Sequence, residues 1–474
     1  MLSRIRAFIF PQDIPLFKEI ILLGLPVIIS NLSRVAMQLT DTAMVGRLGA
    51  TSLVGVAMGG TILWIAMSSG IGLRIATQSV TARRLGQEKL EECGVALRNG
   101  QLMAMVIGIP LSMIAFFFGD SITRLFLTDP DAIPICTEYI TTASISIYLT
   151  SISFVFMGFF TGIEKTREHM YVTIISNIVN VYLNAGLIYG TVGVTAYFES
   201  KGMSWFSMLW KWYEFPTMGA KGAAIATVAA VVCTVLMYLY FLLKDEIRVK
   251  YGILKTNLSM KMMKRQFEIG YPQAISEIML MSAFGVFYKI IGIIGKEELA
   301  ASQIALTIDH ASFMPALGIG QACSTLVGKY LGKKDLYRAE QSMYESIRAS
   351  LLMMGSMGLI FILFPHYLVS FFTSDPEVLK HGVVILPWIG LLQFLDAFAI
   401  TFWFALSGAG DTKFTAYMAV IANWTVFIPL SYLFGIVMDM GVMGPWFAFG
   451  ILLLIESILI IFRVRQGKWK HIEV

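Results

Sequence analysis

The chain has 474 residues, of which 57% are hydrophobic and only 14% charged, and its mean hydropathy is +0.72. Soluble domains carry about 25% charged residues, so a soluble globular protein is excluded, and scarce charge between long apolar stretches marks an all-α polytopic membrane protein. The net charge of +5 is no nucleic-acid signal, because the basic residues sit in segments that flank the apolar ones.

The apolar pattern predicts twelve transmembrane helices, with cores near 16–46, 50–82, 92–118, 133–160, 168–190, 222–243, 264–292, 298–328, 343–365, 379–406, 413–435 and 444–463. Several exceed the ~20 residues that cross a bilayer, which implies tilt or projection past the headgroups. The first 15 residues do not read as a cleavable signal. The apolar run after them is too long and lacks a small-residue cleavage site.

Predicted helix 1 carries Pro26, Arg34 and Asp41. The proline removes a backbone hydrogen bond about four turns before the acid. Ionisable groups inside a bilayer are costly, so each is a functional candidate. Asp41 could take a proton or bind Na⁺. Its structural alternative is a pairing with Arg34 or bonds to Thr40 and Thr42. Predicted helix 5 places Asn177, Asn180 and Asn184 on one face. Their carbonyl oxygens suit a hard cation, and interhelical hydrogen bonding is the alternative.

After helix 5 the first half carries an insertion, about 191–218, rich in aromatics: Tyr197, Trp205, Phe206, Trp210, Trp212 and Tyr213. It reads as an interfacial helix at the outer face or as a lid. A basic run at 244–263 reads as the linker between an N-terminal lobe, 1–243, and a C-terminal lobe, 264–474.

In the second lobe Glu277 follows Pro272 on helix 7, and Asp309 stands beside His310 on helix 8. Asp396 lies in apolar surroundings on helix 10, near Gln393, with Lys289 as another pairing choice. Glu456 on helix 12 has no counterpart and reads as structural.

The halves echo one another. Pro26 returns as Pro272, Gly46 as Gly292, Gly86 as Gly332, Gly162 as Gly408 and Asn177 as Asn423, each 246 positions later. The fit breaks once, where Gly219 matches Gly441, so the first half holds 24 extra residues. Two halves of six helices that start on the same side are parallel repeats about an axis along the membrane normal, with a cleft between them. With the N-terminus inside, 24 of the 36 Lys and Arg fall in cytoplasmic segments and seven outside, which places both termini in the cytoplasm.

Cys93, Cys136, Cys233 and Cys323 show no metal spacing and read as free thiols. The 28 methionines and 13% aromatics suit a pocket for amphipathic cations, although most must serve packing or face lipid. No Walker motif, HExxH or GxSxG nucleophile occurs. The chain therefore reads as a non-enzyme without cofactor, and its energy source as an ion gradient.

Several segments resemble the multidrug and toxic compound extrusion (MATE) family over nearly the whole chain. They are PVIISNLSRVAMQLTDTAMVGRLG, TQSVTARRLGQ, FFTGIEKTREHMYVTIISNIVNVYLNAGLIYG, MGAKGAAIAT, ASFMPALGIGQACSTLVGKYLGKKD and ALSGAGDT. The resemblance implies a monomeric efflux antiporter of the bacterial inner membrane, exchanging small amphipathic drugs for Na⁺ or H⁺ between two lobes. Asp41 matches the family's helix 1 carboxylate, and Asn180 and Asn184 its helix 5 polar positions. The DinF branch has aspartate where Asn184 stands, so the chain looks closer to the NorM branch, whose helix 10 acid Asp396 matches. Glu277 falls nearer its proline than that branch's helix 7 acid. Asp41, Asn180, Asn184, Asp396 and Glu277 are thus the expected coupling residues, with Asp309, Asn177 and Gln393 as additions. A lipid-linked oligosaccharide flippase, whose cleft should be more basic, is the alternative suggested by Arg34, Arg74 and Lys289. A lipid-modifying membrane enzyme is a weaker one.

Overall fold

A computed structural model describes residues 10–474, which hold no strand. Arg4 and Arg6, counted above among the cytoplasmic charges, lie outside the described residues. Twelve long helical segments appear among those described. The first lobe holds α1 (Ile14–Gly46), α2 (Ala50–Gly86), α3 (Leu90–Phe117), α4 (Ala132–Ala143 with Ile145–Gly162), α5 (Thr166–Ser200) and α6 (Gly219–Leu243). The second holds α7 (Met260–Ile294), α8 (Lys296–Gly332), α9 (Leu336–Leu363), α10 (Pro376–Ala409), α11 (Thr412–Val437) and α12 (Met443–Arg465).

Eleven of these are long and apolar enough to cross a membrane. The exception is α8, whose ends and middle carry Lys296, Glu297, Glu298, Asp309 and His310. It spans with its neighbours because it is wrapped by α1, α2, α9 and α10, so its polar groups meet protein or the cleft. Packing repeats between lobes: α2 on α4 corresponds to α8 on α10, and α1 on α5 to α7 on α11.

Two departures from the predicted helices have local causes. Helix 5 does not stop near 190. Gly190, at φ 72°, bends it, and α5 runs on to Ser200. The insertion is therefore the far end of α5 plus a short helix, Ser204–Lys211, folded back on it. Trp210 is buried there, stacked on Tyr182 and Phe198. Its indole N–H donates to the Tyr182 carbonyl at 3.0 Å. Within α11 the backbone widens into π-helical turns at Asn423–Phe427 and Leu433–Val437. Pro429 between them can donate no backbone bond.

The lobes meet chiefly along α1, α2, α7 and α8. Small residues let the backbones touch. A Cβ at Gly270 would sit 2.8 Å from the Gly72 carbonyl oxygen, and one at Gly318 3.1 Å from that of Gly24. Gly24 and Gly270, like Gly72 and Gly318, stand 246 positions apart, so these are one contact made twice about the pseudo-twofold axis. Gly86 and its counterpart Gly332 touch each other, a Cβ on Gly332 lying 3.0 Å from Gly86 Cα. Polar clasps reinforce this end. Lys329 of α8 reaches Glu164 at 2.6 Å and Glu19 at 3.1 Å. Arg83 of α2 donates to the carbonyls of Ala409 and Ile472, each at 3.2 Å. Buried Glu345, ion-paired with Arg348, accepts from the backbone N–H of Gln12 and Asp13 at 3.1 and 3.0 Å.

All these contacts lie at the end that carries the first described residues and the C-terminus. The other end, from Asn31 outward on α1, lacks such bonds between lobes among the described residues, so the molecule is a V. At the closed end α1 and α7 change sides: Leu16, Ile20 and Ile28 join the second lobe's core, and Met262 and Ile269 join Ala76 and Val80. The linker is fastened to the first lobe by Arg98, which donates to the carbonyls of Gly252 and Asn257 at 2.7 and 3.0 Å. Burial there, with Cys93 and Glu164 nearby, pushes the Tyr251 phenol up to about 12.

A valine at Gly86 must wedge this seam. Gly86→Val is expected to lengthen the distance between spin labels at Lys89→Cys and Tyr337→Cys by on the order of 5 Å, one helical turn. Pulsed electron resonance in nanodiscs checks this, and an unchanged distance would show that the seam does not depend on Gly86.

Candidate functional site

The N-lobe locus forms where α1 packs on α5 in the open half. Asn180 and Asn184 sit one turn apart, 2% and 1% exposed, so neither faces lipid. The Asn184 amide donates to Asp41 Oδ1 at 2.6 Å, and the Asn180 amide lies 3.0 Å from the Asn184 nitrogen. Asn177 belongs elsewhere on the face and donates to Ser33 Oγ at 2.9 Å. Thr40 and Thr42 donate to the carbonyls of Ala36 and Gln38 on their own helix, which removes them as partners of Asp41.

Asn184 Oδ1 is buried with no hydrogen-bond partner. The Asn180 amide is satisfied with its nitrogen toward the carboxylate, 2.9 and 3.2 Å from the two oxygens of Asp41, which suits a bare carboxylate. The carboxylate and amide oxygens of these three side chains are of the kind a hard cation takes. A cavity of about 300 Å³ adjoins the locus, lined by Thr40, Met44, Ala185, Tyr189 and the far end of α5. There the Arg47 guanidinium lies 4.6 Å from the centre of the Tyr197 ring.

The C-lobe locus joins α8, α10 and α12. The Gln393 amide donates to Asp309 Oδ1 at 2.6 Å and its oxygen accepts from Ser312 Oγ at 2.6 Å. Asp309 and Glu456 lie near enough to Asp396 to interact with it through space. Three carboxylates thus converge in one lobe. Glu277 is not among them: its charged neighbour is Arg74 of α2. Nor does Lys289 pair with Asp396, because it lies exposed on α7. Among the described residues no group of three or more His, Cys, Asp or Glu could hold a metal ion.

The family model MatE matches residues 26–185 and again 272–433. The chain belongs to the MATE family. Its two matched stretches begin 246 positions apart, the period of the internal repeat. The probable multidrug resistance protein NorM of Thermotoga maritima is 26% identical over 99% of this chain and 96% of its own length. The multidrug resistance protein MdtK of Yersinia pseudotuberculosis is 24% identical over 94% and 95%. A solved structure described as the outward-facing conformation of a multidrug resistance MATE family transporter superposes with a TM-score of 0.85 at 19% identity, covering 96% of this chain and 97% of that one. A Pyrococcus furiosus transporter of the MOP superfamily, described as having a binding pocket of reverse polarity, gives the same values. Family and neighbours are transporters, not enzymes, and the two-lobed fold is theirs.

Sequence reasoning missed Glu456 as a neighbour of Asp396 and missed the clasps. Arg83 and Lys329 entered it only as orientation signals. They are repeat equivalents, 246 apart and both basic, and that pairing was the available signal.

Removing the Asn184 amide leaves buried oxygens without their donor, at a cost of about 1–3 kcal/mol. Asn184→Ala is expected to lower Tm in detergent more than Asn177→Ala, whose partner Ser33 retains access to water. Equal shifts would argue against a special role for the Asn184 contact.

Proposed function

We propose that the chain is a secondary antiporter that exports amphipathic, often cationic compounds in exchange for inward Na⁺ or H⁺ by alternating access. The observation that carries this is a carboxylate, Asp41, held by the buried amides of Asn184 and Asn180 beside a cleft open at one end only. An ion or proton at Asp41 would change the contacts this carboxylate makes with the α5 amides, which couples occupancy to the packing of α1 on α5. Asp396, Asp309 and Glu456 would supply a second locus. The cleft is complete within one chain, so a monomer suffices, and no cofactor is required. The excess of Lys and Arg at the closed end supports its cytoplasmic placement, in a bacterial inner membrane as for the bacterial relatives. The V then opens outward, in position to release a compound and receive an ion.

A lipid-linked oligosaccharide flippase is the second reading. Arg34 and Arg74 between the lobes favour it, and the five intramembrane acids weigh against it.

Asp41→Asn and Asp396→Asn are each expected to abolish gradient-driven ethidium efflux from proteoliposomes while leaving expression and elution volume unchanged. Imposing Na⁺ and pH gradients separately identifies the ion. Wild-type rates in both variants would remove both residues from coupling, and no efflux by the wild-type protein under either gradient would remove the antiporter reading.

A further inference from the structure

The contacts between lobes end in a charged floor. Asn31 is the outermost α1 residue bonded across the seam, its amide donating to the Met314 carbonyl at 3.3 Å. Its repeat counterpart, 246 positions on, is Glu277, which therefore stands at the same depth on the opposite wall. Arg34 follows Asn31 by one turn of α1. Arg74 is two residues beyond Gly72, where α2 touches α7. Arg74, whose backbone packs on Gly158 of α4, is the charged neighbour of Glu277, and Arg34 is a neighbour of Arg74.

These charges are not directly satisfied. Arg74 is 8% exposed and its Nη1 is buried without a partner. It interacts through space with Arg34 and Glu277, yet no carboxylate reaches ion-pair distance of either arginine among the described residues. Behind them, His169 is buried with Nδ1 2.6 Å from the Tyr238 hydroxyl and Nε2 unpartnered. Among the described residues no Asp or Glu of the first lobe interacts with either arginine. Unpaired guanidiniums inside a bilayer are costly, and a guanidinium pair is suited to bidentate capture of an oxyanion.

We propose that this floor is an anion subsite. Arg34 and Arg74 receive the carboxylate of an amphipathic substrate whose apolar or cationic part lies higher in the cleft. Glu277 is the counter-charge that the incoming carboxylate displaces. This rests on the efflux reading for the nature of the occupant.

The test is equilibrium binding to the purified full-length protein in detergent, without any gradient, so that a failed efflux assay leaves it intact. The probes are rhodamine 19, which has a free carboxylate, and its ethyl ester rhodamine 6G. Arg34→Gln and Arg74→Gln are each expected to weaken rhodamine 19 by on the order of tenfold and to leave rhodamine 6G within about twofold. Arg34→Lys should retain part of the preference. Glu277→Gln should tighten rhodamine 19 by roughly threefold, a gain that misfolding does not produce. Equal losses for both dyes, or none for either, would overturn the subsite. Stronger competition by dihexanoyl phosphatidic acid than by rhodamine 19 would overturn the carboxylate as its occupant in favour of a lipid phosphate.

Discussion

The backbone contact of glycine on glycine at the closed end sets the geometry of everything else. In a bilayer the hydrophobic effect does not drive helices together, so close van der Waals approach must. Gly24 on Gly318 and Gly72 on Gly270 bring α1 to α8 and α2 to α7 with no side chain between them, and Gly86 on Gly332 lies at the axis. Helices pinned together at one end and free at the other diverge. That divergence makes the cleft, and the polar clasps at Lys329, Arg83 and Glu345 sit where it has not begun.

The duplication explains this scaffold but not the chemistry laid upon it. Asp41 corresponds to Phe287, which is buried in an aromatic cluster with Phe427 and Trp446. Asp396 corresponds to Thr150, and Arg34 to Leu280. A twofold axis would otherwise give every charge a twin across the cleft. Breaking the twin at each of these positions leaves one lobe with an amide-held carboxylate, the other with three converging acids, and two arginines between them.

Periodicity and composition made the twelve helices legible, and the asparagine stripe of α5 with them, because spacing on one helix is a local property; the family resemblance, not spacing, joined Asn180 and Asn184 to Asp41. The partner of Glu277 was not legible. Its neighbour Arg74 comes from the other lobe, and no local pattern states which lobe face a residue meets at the seam. The insertion was read as an interfacial helix or a lid because its aromatics suit that depth. Its form was not legible: beyond the bend at Gly190 a short helix folds back on α5 with Trp210 buried. The clasp basic residues looked like topology signals, since a charge near a membrane surface serves orientation and closure equally well.

The crossing of α1 shows how a local event could reach the whole molecule. Its first turns belong to the core of the second lobe, through Leu16 and Ile20, while Val45 at its far end packs in the first. Between them Pro26 lacks the N–H that would tie the two parts of the helix, and Ser30 spends its hydroxyl on the Pro26 carbonyl at 2.8 Å. Asp41 and Arg34 lie beyond that weak point. A change in the contact of Asp41 with α5 therefore acts on a segment hinged against the opposite lobe. Glu277 lies just beyond Pro272 in α7, the mirror of this arrangement, so Arg34 and the counter-charge sit on the moving sides of the two hinges. If the lobes rock about the glycine seam, these are charges whose separation must change, which ties whatever occupies the floor to the conformation of the transporter.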